Sequence, residues 1–400
     1  MNKKARILVI GAGAVARAYV KKAMLFADKM DQLHVASKTF SKCQALKAEC
    51  QDAIHIHQID ADNVELLSKL IKQIKPDVVV NLALPYQDLN IMKSCIACKV
   101  HYIDTANYEP IDEAKFSYHW QWDFDQQFQQ AGILGLLGCG FDPGVTNVFC
   151  QYSASHLFDQ IDSIDILDCN GGDHGHPFAT NFNPEINIRE ITQDGKYYQQ
   201  GQWHEIPALS MHEKINFPEI GEKNAYLIYH EELESLNKHL PEIKQLRFWM
   251  TFSDAYLNHL KVLQNVGLTR IDPINYQGQE IVPLQFLKAC LPDPSSLASN
   301  YKGKTCIGCF VKGQKNKQQK SIFIYNVCDH EKCFEELGVQ AVSYTTAIPA
   351  LLATHLLIEN IWTGTGVKNI EQFDPQPFMD RLGDYGLAWQ VKHDVEFNSL

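Results

Sequence analysis

Short runs of aliphatic and β-branched residues alternate with helical stretches through the first 140 or so residues of the chain. The runs around positions 79 and 135 are continuously apolar, which is typical of strands buried on both faces. Strand candidates in βα order occupy residues 7–10, 33–36, 54–59, 78–83, 101–104 and 133–138. Because strands that alternate with helices form parallel sheets, the pattern predicts an α/β fold with a Rossmann-type doubly wound parallel sheet.

The chain changes character after Asp142-Pro143-Gly144. Longer segments with many aromatic and amide side chains follow, so we place the first domain at residues 1–142 and a second at 143–340. Residues 312–320, which are mostly Lys, Gln, Asn and Gly, lie between two apolar runs and predict a solvated hairpin tip. Residues 341–362 have the apolar spacing of a helix, and we expect them to pack back onto the first domain.

Composition narrows the class of protein. Among 400 residues, 36 Lys plus Arg stand against 47 Asp plus Glu, and this formal net charge of −11 disfavours a nucleic-acid partner. No run reaches the roughly 18–20 apolar residues of a membrane span, and the basic amino terminus lacks the apolar stretch of a secretory signal. The 12 cysteines are scattered, which suits a reducing compartment. We therefore expect a soluble cytoplasmic protein without a membrane partner and without structural disulfides.

A glycine-rich turn follows the first predicted strand and opens the first predicted helix. Gly11 allows a tight turn, Gly13 lets the backbone approach a pyrophosphate, and Ala16 lets helix and strand pack closely. The alternative is a glycine turn without a ligand, but its position within a βα series favours a dinucleotide site. The residues of this turn assigned to the cofactor are Gly11, Ala12, Gly13, Ala14 and Val15.

The end of the second predicted strand lacks the carboxylate that commonly binds the ribose 2′-hydroxyl of NAD. Ser37 can donate a hydrogen bond there and Lys38 supplies positive charge, so the pair favours the 2′-phosphate of NADP over NAD. Asp60, after the third strand, falls near the expected adenine of the cofactor. A role as cap of the following helix is equally compatible with its position.

Three further loops follow the fourth, fifth and sixth predicted strands. Ligands of an open parallel sheet lie outside the carboxyl ends of its strands, so we expect these loops to surround the nicotinamide. Cys139 lacks a basic neighbour, and close packing beside the cofactor is preferred over a catalytic thiol. Asp142 is equally compatible with a turn residue and with an acid. The residues assigned to the cofactor from these loops are Leu82, Ala83, Ala106, Cys139, Gly140 and Phe141.

Residues 170–189 are unusually dense in polar side chains, which suggests a polar substrate. Arg189 is our candidate for binding a carboxylate of the substrate, because its planar guanidinium can bind a carboxylate in a bidentate manner. A structural salt bridge to Glu185, one helical turn earlier, is an equally good alternative. Asp329 and His330 are candidates for binding a cation or for proton transfer, against the alternative that they are surface turn residues. We expect no metal site, since the cysteine pairs lack the turn context of zinc ligands.

Together these segments resemble the saccharopine dehydrogenase family. The glycine loop and residues 139–144 carry the resemblance to the family as a whole. Segments 172–189, 269–274, 325–331 and 340–346 are similar to its carboxynorspermidine synthase branch, and they span most of the chain. The resemblance implies an NADPH-dependent reductive condensation of L-aspartate β-semialdehyde with 1,3-diaminopropane or putrescine, in an alternative route to spermidine and norspermidine.

The implied chemistry gives roles to the polar residues. The aldehyde substrate presents a carboxylate, for which Arg189 is the candidate, and the amine carries a distal ammonium that needs acidic partners. The general acid is left open among the remaining acids and histidines. The resemblance also implies that residues 341–400 return to the first domain, that an α+β substrate domain is inserted before them, and that this domain forms a homodimer. The candidate catalytic residues are Asp173, His174, Glu185, Arg189, Asp329 and His330.

Two other functions are compatible with the sequence. A saccharopine reductase joins glutamate to aminoadipate semialdehyde, and the three carboxylates of that pair require several basic residues. The polar motifs of this chain are instead rich in acids, histidines and amides. A non-catalytic NADP-binding regulator would keep the fold without the chemistry. The polar density of residues 170–189 favours an enzyme with small-molecule substrates.

Overall fold

Two large sheets and the helices around them make up the protein, which a computed structural model describes from residue 4 to residue 400. The strands are β1 (Ala5–Ile10), β2 (Met30–Ser37), β3 (His55–Gln58), β4 (Val78–Asn81), β5 (His101–Ile103), β6 (Leu134–Leu137), β7 (Gln160–Asn170), β8 (Gly195–Gln199), β9 (Gln202–Ile206), β10 (His212–Phe217), β11 (Gly221–Ile228), β12 (Gln245–Thr251), β13 (Ile274–Tyr276), β14 (Gln279–Ile281), β15 (Lys304–Lys315), β16 (Gln318–Asp329), β17 (Gly366–Asn369) and β18 (Trp389–His393). The α-helices are α1 (Ala14–Met24), α2 (Phe40–Glu49), α3 (Val64–Ile74), α4 (Asp88–Cys98), α5 (His119–Trp122), α6 (Asp125–Ala131), α7 (Val145–Tyr152), α8 (Pro184–Thr192), α9 (Glu232–His239), α10 (Asp254–Asn265), α11 (Pro283–Cys290), α12 (His330–Leu337), α13 (Ala341–Ile358) and α14 (Gln376–Leu382).

The first sheet is parallel throughout, with strands in the order β17-β6-β5-β4-β1-β2-β3. It contains a strand for each of the six apolar runs of the first 140 residues, and the predicted doubly wound fold is confirmed. After β3 the chain crosses to the other side of β1 and continues with β4. This reversal opens a crevice outside the carboxyl ends of β1 and β4, where sheets of this kind bind their ligands.

The second sheet is mixed, and its strands lie in the order β10-β11-β12-β7-β15-β16-β18, with β8 beside β12 and β9 beside β8. Strands β15 and β16 form an antiparallel hairpin that closes at Lys315 and Gln318. The solvated hairpin tip predicted at residues 312–320 is therefore confirmed. The central strand β7 is flanked by β12 and β15, and it carries Asp168 close to its carboxyl end.

The segment after residue 340 contributes to both sheets. Helix α13 packs against α1, and β17 joins the first sheet next to β6. Strand β18, however, pairs with β16 of the second sheet. The expectation that residues 341–400 as a whole return to the first domain is corrected at this point, because the apolar face of β18 completes the edge of the second sheet.

Helix α13 is long and apolar enough to cross a membrane by length and composition alone, with a mean hydropathy of 1.5. Of its residues, 83% are nevertheless buried within the protein. The Thr354 hydroxyl accepts a hydrogen bond from Tyr19 of α1 at 3.0 Å, and both groups are buried. These contacts are those of a core helix.

All twelve cysteines carry free thiols, as predicted. Two pairs lie close together: Cys328 and Cys333 have sulfurs 3.2 Å apart, and those of Cys150 and Cys309 are 3.7 Å apart. Burial raises the pKa of the Cys309 thiol well above its usual value. Such neutral thiols pack as small apolar groups.

The turn between β6 and α7 brings its own backbone unusually close together. Gly144 has a φ of +144°, and a Cβ at this position would lie 1.9 Å from the carbonyl oxygen of Gly140. The Gly144 amide donates to Oδ1 of Asn147 at 3.0 Å. Glycines at both ends of the turn thus fix the backbone on either side of Asp142.

We predict that Gly144→Ala lowers the free energy of unfolding by at least about 2 kcal/mol, because the added Cβ meets backbone that cannot move aside. Gly383→Ala is the matched control, since Gly383 has a φ of −63° and its Cβ would have nothing within 4 Å. That control should raise stability by up to about 1 kcal/mol or leave it unchanged. Urea unfolding followed by circular dichroism measures both, and equal effects would contradict the account.

Candidate active site

The glycine loop between β1 and α1 lies against the loop that follows β4. Gly11 has a φ of +113°, and a Cβ on it would lie 2.4 Å from the carbonyl oxygen of Leu82. At Gly13, by contrast, nothing lies within 4 Å of an added Cβ, and no side chain caps the start of α1. An uncapped helix N-terminus beside open space fits the pyrophosphate of a dinucleotide. Ala12, Ala14 and Val15 lie on the same loop and first turn.

Ser37 and Lys38 lie at the carboxyl end of β2. The Ser37 hydroxyl accepts the Thr39 amide at 3.3 Å, and Lys38 Nζ lies 2.8 Å from Oδ2 of Asp60. The Lys38 side chain is 76% exposed, so a ligand phosphate can reach it without breaking any packing. Asn63 is the cap of α3, because its Oδ1 accepts the Leu66 amide. Asp60 is therefore the partner of Lys38, and the alternative that it caps this helix is excluded.

The loops after β4, β5 and β6 converge at the carboxyl edge of the first sheet. The Ala83 amide donates to Asn81 at 3.1 Å, and the Gly138 amide donates to the Asp104 carboxylate at 2.8 Å. Leu82 and Ala106 lie in the first two of these loops, and both are at least partly covered. The crevice between β1 and β4 thus has walls made from three different loops, as the predicted nicotinamide site requires.

The residues directly after β6 are tightly packed. Burial raises the pKa of the Cys139 thiol well above its usual value, so the side chain is a neutral thiol. A Cβ on Gly140 would lie 3.1 Å from the Thr105 carbonyl oxygen, and Phe141 packs edge-on against Phe149 in the core. These contacts give Cys139 and Phe141 packing roles beside the cofactor crevice.

The guanidinium of Arg189 is fully engaged within the protein. Its Nε donates to Glu109 at 2.6 Å, and its terminal nitrogens donate to three main-chain carbonyls of residues 110–113 at 2.7–3.0 Å. The side chain is 1% exposed. The prediction that Arg189 grips a substrate carboxylate is therefore wrong. The alternative ion pair with Glu185 is also wrong, because the partner lies 80 residues away in the chain.

Glu185, at the start of α8, pairs instead with Lys288 of α11 at 3.0 Å. Burial by itself would raise the pKa of Glu185, but the ammonium of Lys288 beside it outweighs burial and the pKa is lowered. Tyr86 follows β4, and burial raises the pKa of its hydroxyl. Glu185 is thus an ionised carboxylate, held by a lysine, near the loop after β4.

His330 is a structural residue rather than a proton carrier. Its Nδ1 accepts the Ala341 amide at 3.1 Å, so its Nε2 carries the hydrogen and donates to Asn170 at 3.1 Å. Its ring stacks on Tyr301 with the centroids 3.7 Å apart. Burial lowers the pKa of His330 to about 4, and both ring nitrogens are already bonded. The predicted role in proton transfer is therefore not supported.

The other residues of the predicted polar motifs support loops and helix ends. Asp329 caps α12, since its carboxylate accepts the amides of Glu331 and Lys332. The Asp173 carboxylate accepts the amide of Gly175 at 2.7 Å within its own turn. His174 contacts the edge of the Tyr301 ring, with the centroids 5.3 Å apart. Asp173, His174 and His330 thus gather around Tyr301, whereas Glu185 and Arg189 lie with α8 and its neighbours.

A cluster of acidic side chains surrounds His230, and it was not predicted from the sequence. Its Nε2 lies 3.3 Å from Glu190, and its Nδ1 lies 3.4 Å from Glu231 and bonds Glu232. Asp142 and Asp168 share a hydrogen bond nearby, and both keep part of their surface accessible. We call this group the acidic cleft; its members are Asp142, Asp168, Glu190, His230, Glu231 and Glu232.

Burial shifts the protonation of the acidic cleft. It raises the pKa of Glu231, raises that of Glu190 to about 8, and raises that of Asp142 well above its usual range. For His230, burial would lower the pKa, but Glu232 and Glu231 outweigh it and raise the pKa well above its ordinary value. Near neutral pH the cleft therefore holds an imidazolium at His230 and protonated carboxyls at Glu190 and Asp142, which can ionise when another cation enters.

The acidic cleft adjoins the cofactor crevice. Asp142 lies in the turn between β6 and α7, and Oε1 of Glu231 accepts the amide of Asn107, which lies in the loop after β5, at 3.3 Å. A ligand atom from each of His230, Glu231 and Glu232 lies within 4.8 Å of the others, so a divalent cation could bind if His230 were neutral. Because Nδ1 bonds Glu232 and lies close to Glu231, His230 is instead an imidazolium. A cleft of this kind suits an organic cation held next to a nicotinamide.

Family models match both halves of the chain. Residues 7–136 match the saccharopine dehydrogenase NADP binding domain, and residues 140–387 match the saccharopine dehydrogenase C-terminal domain. The chain belongs to the saccharopine dehydrogenase family. The resemblance inferred from its motifs is thereby confirmed, and the chain is an oxidoreductase of this family with a domain for a nicotinamide cofactor.

Relatives of this saccharopine dehydrogenase family member include enzymes of similar length. The chain is 53% identical over 392 residues to a carboxyaminopropylagmatine dehydrogenase of Synechocystis sp., with 98% of each chain covered. It is 41% identical over 400 residues to a carboxynorspermidine synthase of Vibrio alginolyticus, with 96% of each covered. The solved structure of apo saccharopine dehydrogenase (L-Glu forming) from Saccharomyces cerevisiae superposes with a TM-score of 0.75 over 98% of this chain and 100% of that one, at 15% identity, and shows the same fold.

For this member of the saccharopine dehydrogenase family, we predict that Arg189→Ala lowers the free energy of unfolding by about 3–5 kcal/mol, because Glu109 is left buried without its partner. Arg270→Ala is the control, since Arg270 forms an exposed ion pair with Asp272 and its loss should not change stability measurably. Thermal and urea unfolding measure both variants. If Arg189→Ala is as stable as the unmodified enzyme and only its KM for the aldehyde is raised, the structural role of Arg189 is contradicted and Arg189 is a substrate-binding residue.

Proposed function

We propose that this dehydrogenase joins L-aspartate β-semialdehyde to a primary amine that carries a second, distal cation. The amine nitrogen attacks the aldehyde carbon, water leaves, and the resulting imine is reduced to a secondary amine. When bound, the reduced nicotinamide of NADPH supplies the hydride for the imine carbon, and a proton from the protein or solvent completes the new N–H bond. The protein's contribution is to align the two substrates and to move protons.

The acidic cleft is the observation that carries this proposal. Several carboxyl groups are crowded around one imidazolium at the edge of the cofactor crevice, and burial raises the pKa values of Glu190 and Glu231 although His230 lies beside them. A further positive charge would stabilise their ionised forms. A distal ammonium or guanidinium supplies that charge. The carboxylate-rich substrates of a saccharopine reductase would increase the repulsion instead, which argues against that alternative.

Agmatine is the amine we favour. The relative with 53% identity is named for carboxyaminopropylagmatine, which is agmatine joined to a four-carbon unit that aspartate β-semialdehyde can supply. The relatives with 41% identity are named for carboxynorspermidine, for which 1,3-diaminopropane is the amine. A guanidinium also suits several carboxylates, since it offers five donors in one plane. The sequence-based choice of 1,3-diaminopropane or putrescine is thus extended to agmatine.

Asp142 is our candidate for the proton donor when water leaves. It holds a proton in its hydrogen bond to Asp168, and burial keeps its pKa well above the usual range for a carboxyl. A carboxyl with a raised pKa can donate near neutral pH and take a proton back afterwards. For the carboxylate of the aldehyde substrate, Lys288 beside Glu185 replaces Arg189 as the candidate, because Arg189 is only 1% exposed and is bound to Glu109 and to main-chain carbonyls.

NADP is the proposed cofactor, with its 2′-phosphate at Ser37 and Lys38. We predict that Lys38→Ala raises the Kd of NADPH about tenfold and leaves the Kd of NADH unchanged, because a charged hydrogen bond to the phosphate is lost. Asp60→Asn should have the opposite effect, since it frees Lys38 from its ion pair. Fluorescence titration of the nicotinamide measures both constants.

The control for the cofactor prediction is Lys42→Ala. Lys42 lies in α2 close to Lys38 in sequence, but it pairs with Asp293. Its loss should change neither constant. Equal losses of NADPH and NADH affinity in Lys38→Ala would contradict the assignment of the 2′-phosphate to this site.

For the reaction, we predict that NADPH oxidation with aspartate β-semialdehyde requires an added amine, and that agmatine gives the highest kcat/KM. The comparison arms are 1,3-diaminopropane, putrescine and no amine, with glutamate plus aminoadipate semialdehyde as a separate arm. Asp168→Asn should lower kcat/KM for the amine by about a hundredfold, because a carboxylate facing the substrate is lost. Absorbance at the NADPH band measures turnover.

Asp162→Asn is the matched control for Asp168→Asn. Both residues lie on β7, but Asp162 forms an ion pair with Lys244 at 2.7 Å outside the acidic cleft. Its kcat/KM should equal that of the unmodified enzyme. Turnover without any amine, or turnover only with glutamate and aminoadipate semialdehyde, would overturn the proposed function. NADPH binding without turnover in any arm would favour a regulator without chemistry.

A further inference from the structure

Glu371 is a buried carboxylate that the proposed reaction does not use. It lies in the short turn after β17, and its side chain has no exposed surface. Oε1 lies 2.8 Å from Nδ1 of His239, the last residue of α9, and Oε2 accepts a hydrogen bond from Nδ2 of Asn147 at 3.0 Å. A charge buried at this depth persists only where its partners are fixed.

The partners of Glu371 belong to the two segments that carry most of the acidic cleft. Asn147 lies in the first turn of α7, and its Oδ1 accepts the amide of Gly144 at 3.0 Å, two residues after Asp142. The same Asn147 amide group donates to Ser235 of α9 at 3.2 Å. Helix α9 begins at Glu232, directly after His230 and Glu231. One side chain therefore connects the loop of Asp142 with the helix that presents the imidazolium and two carboxyls.

We propose that Glu371 is a positioning residue for the acidic cleft: through Asn147 and His239 it sets the distance between the Asp142 loop and helix α9. The inference rests on the proposed function of the cleft as an amine site. Carboxyl groups in a cleft repel one another when ionised, so the backbone segments that carry them must be fixed by contacts with other parts of the protein. Glu371 belongs to the C-terminal segment, and its contacts fix both the Asp142 loop and α9.

The geometry explains why Asn147 is the link. The backbone at Gly144 has a positive φ and lies against Gly140, so the amide of Gly144 points in a fixed direction and needs an acceptor there. Asn147 offers that acceptor and, on the same group, the donor that Glu371 accepts. Removing Glu371 leaves the Asn147 side chain with only its bonds to Gly144 and Ser235, so Asn147 is held less firmly and the Asp142 loop can then relax toward solvent.

A double-mutant cycle tests the proposal. Calorimetry measures the Kd of agmatine for the enzyme with NADPH bound, and assays give KM for the amine and for the aldehyde. We expect Glu371→Ala and Asn147→Ala each to raise the Kd and KM of the amine about tenfold, with the KM of the aldehyde nearly unchanged. Because both act through one hydrogen-bonded chain, the double variant should be no worse than either single one.

Conservative variants separate positioning from folding. Glu371→Gln keeps an oxygen that accepts from Asn147, and it should restore amine binding to within about threefold of the unmodified enzyme. If Glu371→Ala does not fold, Asn147→Asp replaces it, because that variant keeps the acceptor for Gly144 and removes the donor to Glu371. Glu359→Ala is the control, since Glu359 binds Lys29 and Arg381 in the same part of the chain.

The outcomes distinguish this inference from the proposed function. Additive effects in the double variant, or a Glu371→Ala enzyme that is less stable but binds agmatine normally, would overturn the positioning role. An unmodified enzyme that binds no amine would overturn the proposed function, and the positioning role with it. Loss of amine affinity in Glu359→Ala equal to that in Glu371→Ala would show a general effect of the C-terminal segment and would also overturn the proposal.

Discussion

The burial of several carboxyl groups around one histidine is the constraint on which the rest of the structure depends. Each ionised carboxylate loses hydration in the acidic cleft, and His230 is the imidazolium that Glu190, Glu231 and Glu232 share. The groups reach it from the loop after β6, the end of β7, the helix α8 and the start of α9. The tight glycine turn, the mixed sheet and the C-terminal segment all serve to hold these elements against mutual repulsion.

The fold could be predicted from sequence because its signals are local. Most strands of the first domain are short apolar runs, and the glycine loop stands directly between one such run and a helix. The crevice for the cofactor follows from the order of the strands alone. The return of the chain at β18 to the second sheet could not be predicted in this way, because the strand it pairs with, β16, lies about 60 residues earlier and shares no local pattern with it.

The candidate site was harder to predict, since its residues come from distant parts of the chain. The sequence left Asp142 open between an acid and a turn residue. Asp168 is one polar position in a strand, and the run His230-Glu231-Glu232 has the pattern of an ordinary exposed helix start. Arg189 and His330 were predicted as catalytic residues because they lie in motifs rich in polar side chains. Their true partners, Glu109 and Tyr301, are recognisable only once the chain is folded.

The central proposal is that an organic cation binds in the acidic cleft and ionises carboxyl groups that are protonated in its absence. Calorimetric titration of the NADPH-bound enzyme with agmatine near pH 7, repeated in buffers of different ionisation enthalpy, counts the protons exchanged on binding. The account predicts release of about one proton, because the incoming cation lowers the raised pKa values of the cleft carboxyls. Binding without proton release, or with proton uptake, would contradict it.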